Sequence, residues 1–179
     1  MVKNWISDRG DAPFYAGILV RDGVTDSAIM KKVVRGASDF GISLGDGDSN
    51  RLVKNYVRHC GAFGLDLGGD SKKVLKNNLK NSGQTGMVIQ GSENIIEKNF
   101  VEVSGHNGIV ILEDSNTVEK NIVRESGEYV IFLGPESQNN TLEKNIIKDS
   151  GEFDLKDEGD NSSFEKNKCD TSEPDGLYN

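Results

Sequence analysis

Proline is nearly absent from this chain, with three in 179 residues beside 21 glycines. Hydrophobic residues reach only 35% and aromatics 7%. So thin an apolar content would suit a disordered chain, yet valine, isoleucine and leucine recur at regular positions, which disorder does not require. A repeat protein with a thin core fits better, and the length allows one domain or a short array. No Lys/Arg cluster stands free of interleaved acid, and the formal net charge is −8 with a pI near 4.8. A general nucleic-acid binder is therefore not expected. No apolar run exceeds a handful of residues, so no membrane span is expected. The opening "MVKNWISDRG" lacks the apolar stretch of a signal peptide. The compartment stays open on these grounds, with an extracellular or cell-surface place the expectation.

What the chain does have is a period. Lys-Asn pairs fall at Asn55, Asn77, Asn99, Asn121, Asn145 and Asn167, with steps of 22, 22, 22, 24 and 22 residues. Three residues before each Asn stands Leu52, Val74, Ile96, Val118, Leu142 or Phe164, and two residues after it Val57, Leu79, Val101, Val123, Ile147 or Cys169. Five after comes Cys60, Ser82, Ser104, Ser126, Ser150 or Ser172, followed by glycine in all but the last case. So many agreeing columns at one period mark a solenoid. A second apolar couplet runs Ile42/Leu44, Leu65/Leu67, Met87/Ile89, Ile109/Ile111, Ile131/Leu133 and Phe153/Leu155. Its alternation predicts strands, and no helical stripe is sustained anywhere.

Each unit is then a coil of short strands separated by Gly, Asp, Ser and Asn turns, stacked about 4.8 Å above the last. Inward residues form aliphatic stacks. The recurring asparagines are expected to form a structural ladder, bonding one another and the turn backbone. Asn also tolerates the left-handed conformation that a sharp bend needs. A partial second column, Asn50, Asn94, Asn116 and Asn140, marks the preceding turn.

Repeats such as "GIVILEDSNTVEKNIVRES" resemble the right-handed parallel β-helix of the pectate-lyase-like superfamily, above all its NosD-like, carbohydrate-binding and sugar-hydrolase repeats. The resemblance covers residues 17–172 and implies an all-β fold, a single right-handed parallel β-helix of about seven coils of 22–24 residues. Residues 1–16 are expected to hold a partial first coil and an insertion, and 173–179 a capping tail through Leu177 and Tyr178. "VKNWISDRG" aligns with "VKNYVRHCG", so the chain begins halfway through a coil. A trimmed upstream segment is the favoured explanation; cover by Trp5 and Phe14 is the other.

In the superfamily the first sheet and its flanking turns usually form the carbohydrate groove. The matching outward column here is Leu19, Ser43, Asp66, Val88, Val110, Phe132 and Asp154, with Leu112 beside it. Its middle is apolar, so Val88, Val110, Leu112 and Phe132 are expected either to dock a partner or a second copy, or to lie under an insertion or the tail. "GDGDSN" and "GLDLGGDS" place Asp46, Asp48 and Asp70 in stacked turns. With Ser43 and Asp154, these are the candidate substrate-binding residues. Carboxylates one coil apart could bind calcium or act as an acid–base pair; acidic residues are also ordinary in tight turns. No other cofactor or metal is expected.

"AFGLDLGG" (62–69) resembles the "YGFDPH" catalytic segment of alginate C5-epimerases through Gly64 and Asp66. Phe63 replaces the tyrosine, and Leu67-Gly68 stand where Pro-His should be, which removes both other proton-transfer candidates. The catalytic candidates are therefore Asp66, His59 and Arg58. His106 lies about two coils, roughly 10 Å, from His59, too far to share a metal. Cys60 and Cys169, about five coils or roughly 24 Å apart, cannot form a disulfide within the chain. A third-strand outward column, Arg58, Lys80, Glu102, Arg124 and Lys148, is mostly basic and could meet an anionic polysaccharide, although a solvated face is the commoner explanation and interleaved acids such as Glu125 and Asp149 weaken the patch.

Three functions follow, in order. The first is a non-catalytic polysaccharide-interacting module, part of a longer protein. The second is a lyase, C5-epimerase or glycosidase acting on an acidic glycan around Asp66. The third is a structural, self-associating β-helix of the tail-fibre kind.

Overall fold

The computed structural model describes residues 5–7 and 16–177, with Trp5 placed only as part of a strand backbone. The proposed covering role of Trp5 and Phe14, and that of Tyr178, lie outside the described residues. The rest is an all-β solenoid of about seven right-handed turns built from three parallel sheets. Sheet 1 has eight strands, from Ala16–Val20 to Ser172–Glu173; sheet 2 has seven, from Ala28–Met30 to Ser163–Glu165; sheet 3 has seven, from Trp5–Ser7 to Ile146–Ser150. One coil runs through all three, as in Leu65–Gly68, Lys73–Leu75 and Asn78–Ser82. No helix among the described residues is long and apolar enough to cross a membrane.

Register follows the sequence columns. Val57, Leu79, Val101, Val123 and Ile147 stack in sheet 3, and Leu52, Val74, Ile96, Val118 and Leu142 in sheet 2. All are buried in one continuous core, against which Leu177 packs from the tail. The glycine that follows five of the six residues in the column from Cys60 to Ser172 has a steric cause. A Cβ on Gly61 would lie 1.9 Å from the Ser38 carbonyl oxygen of the coil before, so only glycine lets the coils close to strand spacing.

The main ladder forms as expected. From Asn77 on, each Oδ1 accepts from the backbone N–H and side-chain Nδ2 of the asparagine one coil earlier, as Asn121 does from Asn99 at 2.8 and 3.1 Å, while Asn55 Oδ1 accepts from the Lys32 N–H at 3.0 Å. Each Nδ2 also reaches a backbone carbonyl, Asn121 bonding Ile96 at 2.8 Å. Ladder residues Asn77, Asn99, Asn145 and Asn167 repeat the arrangement, Asn55 starts it, and all are buried. The left-handed backbone, however, sits on the preceding lysine. Lys54, Lys76, Lys98, Lys120, Lys144 and Lys166 have φ of 53–57°. The ladder asparagines themselves have no positive φ; the residue before each makes the bend.

One register expectation is corrected. The partners of Ile131 and Leu133 are Leu155 and Asp157, not Phe153 and Leu155. The extra two residues of the 24-residue coil lie between Leu133 and Asn140, where the Ser137 N–H and hydroxyl both bond the Gly134 carbonyl. A 22-residue step carried through that insertion slips by two. Lys156, not Asp154, therefore continues the outward column below Phe132.

Both cysteines are free and buried, and burial pushes each thiol up to about 12. Neither should react with Ellman's reagent in the native protein, whereas both should react after denaturation. Rapid native labelling of Cys60 would mean that the coil around it opens.

Candidate functional site

Asp66 projects outward from the strand Leu65–Gly68, stacked between Ser43 and Val88. The Ser43 hydroxyl donates to its Oδ2 at 3.0 Å, and Gln90 Nε2 donates to its Oδ1 at 2.8 Å. Burial raises the Asp66 carboxyl above the usual range; the bonds from Ser43 and Gln90 oppose this, and the Asp39 charge adds to it. Gln90 is not among the sequence-derived candidates. It pairs with Gly68 and reaches diagonally to Asp66. Continuing the in–out alternation two residues beyond Val88 would have found it.

A groove of about 660 Å³ surrounds these three side chains, with Arg21, Asp22 and Asp46 on its wall. A second hollow of about 530 Å³ adjoins it, sharing Asp46 and Gln90 and adding Asp48, Asp70 and Glu113. Together they form one trough across sheet 1 and the corner that follows it. Among the described lining residues the charged wall is acidic but for Arg21, and the buried Lys72 amine lies beneath Gly69. The charges of the corner carboxylates Asp46, Asp48 and Asp70 all act on the buried Lys72 amine. Asp48 accepts from the Asp70 N–H at 2.9 Å, and Asp70 from the Ser92 N–H at 2.8 Å, so each closes the turn one coil on. Among the described residues, no three acidic, His or Cys groups are placed to hold a metal ion.

Other expected site residues fall elsewhere. Arg58 and His59 belong to the strand Tyr56–Cys60 of sheet 3, while Asp66 is in sheet 1. Arg58 lies over the Tyr56 ring at 5.2 Å, and His59 Nε2 is 3.1 Å from Asn81 Nδ2. Neither is among the groups bonding Asp66. Asp154 is only 3% exposed, and its carboxylate binds the Ser150, Asp170 and Thr171 N–H groups. It secures the last turns and is not on the outer face. The apolar strip is also not open: Val88 and Val110 are 7% and 8% exposed. Phe132 is half-buried with its ring 5.4 Å from Tyr129, and Leu112 is half-buried as well.

Within the epimerase-like segment, Phe63 packs on Phe40 at 5.3 Å and Leu67 is fully buried. Only Asp66 of that segment offers a titratable group to the groove. Residues 40–178 match the family described as the right-handed β-helix region. The chain belongs to the right-handed β-helix family. Among solved structures, a mutant of the periplasmic alginate epimerase AlgG is similar to this β-helix, with a TM-score of 0.71 and 19% identity over 86% of this chain and 36% of that one. The β-helix thus spans about a third of that epimerase's length, and a likeness at this identity is one of fold. No curated protein matches the chain.

Proposed function

We propose that this β-helix is a polysaccharide-binding module that holds a neutral, hydroxyl-rich glycan in the trough centred on Asp66, as part of an extracellular or envelope protein. The observation carrying the proposal is the Ser43–Asp66–Gln90 cluster, a carboxylate and an amide fixed by mutual hydrogen bonds in a groove. Such planar groups bond sugar hydroxyls well, because a carboxylate accepts at two oxygens and an amide both donates and accepts. Asp22, Asp46 and Asp66 against one Arg21 disfavour a uronate chain by like-charge repulsion.

Affinity electrophoresis through gels cast with neutral and acidic polysaccharides tests the proposal. The parent is expected to be retarded in at least one neutral gel, and Asp66→Leu to lose that retardation while keeping its fold by circular dichroism. Equal retardation of parent and variant would remove Asp66 from the binding site.

One observation favours a second reading. A carboxyl raised by burial holds its proton nearer neutrality and so suits a general acid. In that case the retarding gel would show a cleared zone that Asp66→Asn abolishes while retardation persists. The self-associating reading rested on an open apolar strip, and the burial of Val88 and Val110 removes that support.

A further inference from the structure

The corner between sheets 1 and 2 holds one residue of each coil in the left-handed region, just before the second asparagine column. Ser49, Ser71 and Glu93 take this position in the early coils, and two residues further on stand Arg51, Lys73 and Ile95. In two later coils the pair changes character. Asn139, with φ of 55°, is followed by Asn140 and Thr141; Asn161, with φ of 56°, by Ser162 and Ser163. Both runs read Asn-X-Ser/Thr without proline at X, the pattern of an acceptor for an N-linked glycan. No other asparagine of the chain has Ser or Thr two places on.

The fold presents both runs in the same way. Residue X turns inward: Asn140 is fully buried, and Ser162 takes the next rung, where its hydroxyl accepts from the Asn140 N–H at 3.3 Å. Alternation then turns the asparagine and the hydroxyl outward together. Asn139, Asn161 and Ser163 are exposed, and Thr141 is half-buried. The ladder amides are spent on one another and on backbone carbonyls, whereas the Asn139 and Asn161 side chains have no hydrogen-bond partner among the described residues. The two sites stack. The Asn139 N–H bonds the Asp160 carbonyl at 3.0 Å, Thr141 pairs with Ser163, and the Ser163 hydroxyl donates to Thr141 Oγ1 at 3.2 Å.

We propose that Asn139 and Asn161 are acceptor sites for an N-linked oligosaccharide. In the transfer, the carboxamide nitrogen bonds the anomeric carbon of a lipid-pyrophosphate-linked oligosaccharide. The bond from that carbon to the pyrophosphate breaks, and the nitrogen gives up one proton to a base of the transferase. The sugar needs no room inside the coil, because both side chains already stand in solvent. Asn139 follows Phe132 in its coil, three rungs or roughly 14 Å along the axis from Asp66, so a glycan there leaves the groove open. The proposal rests on the extracellular or envelope placement of the chain, not on what the trough holds.

Translation of the full chain behind a cleavable secretion signal, into microsomes competent for N-glycosylation, tests it. The protease-protected parent is expected to exceed its sequence mass by one or two glycans, which peptide N-glycosidase F removes. Thr141→Val should lose the glycan at Asn139, and Ser163→Ala that at Asn161, with both asparagines and their left-handed turns kept. The double variant should carry none, and without the signal it should match the circular dichroism of the parent. A protected parent at its bare sequence mass would overturn the proposal, and so would a glycan that persists in the double variant. Affinity electrophoresis uses unglycosylated protein, so failure of the trough reading and failure of this one are distinguishable.

Discussion

Asn121→Ala is expected to lower the unfolding free energy by about 3 kcal/mol, because it removes four buried hydrogen bonds at ~0.5–1.5 kcal/mol each and leaves the buried Asn99 N–H without a partner. Asn121 sits in mid-ladder and is fully buried. Its Oδ1 is the acceptor for both Asn99 N–H and Asn99 Nδ2, and its Nδ2 donates to the Ile96 carbonyl and to Asn145 Oδ1. Alanine removes all four bonds and gives water no way in. Asn99 Nδ2 keeps its bond to the Val74 carbonyl, but the Asn99 N–H loses its acceptor and the Ile96 carbonyl its side-chain donor. Urea denaturation followed by circular dichroism measures the loss. A change under about 1 kcal/mol, typical of an exposed polar substitution, would mean that the ladder marks the corner without holding it.

Lys72→Asn should act in the opposite direction, stabilising the protein by about 2 kcal/mol near neutral pH, the scale of one uncompensated buried polar group. Lys72 fills the rung between Asn50 and Asn94 in the second ladder. It is 0% exposed, and its Nζ has no hydrogen-bond partner. The amine lies so close under Gly69 that a Cβ there would meet it at 2.6 Å. Burial pushes the amine below the ordinary lysine value, with Asp48, Asp70 and Asp46 opposing the shift. An asparagine here could bond the carbonyl three residues back, as Asn50 does with Gly47 and Asn116 with Glu113.

The pH dependence has a definite sign. The unfolded chain holds the lysine proton more tightly than the native state does, so Lys72 costs stability below its lowered native value, and that cost fades as pH rises to the ordinary lysine value. The advantage of Lys72→Asn should therefore be largest near neutrality and shrink under alkaline conditions. Destabilisation by Lys72→Asn at neutral pH would instead make the ammonium a net asset to the three aspartates.

The scaffold was legible because each inward position repeats the same chemistry at the same spacing. Val57, Leu79, Val101, Val123 and Ile147 declare a stack before any coordinates do. Where the reading failed, the cause was local. The insertion before Asn140 shifted the next strand by two residues, moving Asp154 onto the outer face on paper while the fold buries it. The second asparagine column skips one rung, and that rung is Lys72, a gap that was itself a signal. Of the candidate site, Ser43 and Asp66 were visible as neighbours on one column, but Arg58 and His59 are close to Asp66 only along the chain. A coil turns its corner between them, so sequence proximity does not become contact. Val88 and Val110 show the reverse limit: an outward position on a sheet is not necessarily an exposed one.

The most direct measurement is an amide chemical-shift titration of the isotope-labelled protein with a soluble oligosaccharide from whichever neutral polysaccharide retards it. Saturable shifts should centre on Ser43, Asp66, Gly68 and Gln90, which line the groove of sheet 1, and spread to Asp46. Shifts confined to sheets 2 or 3, or none with any neutral oligosaccharide, would contradict the placement of a glycan at Asp66.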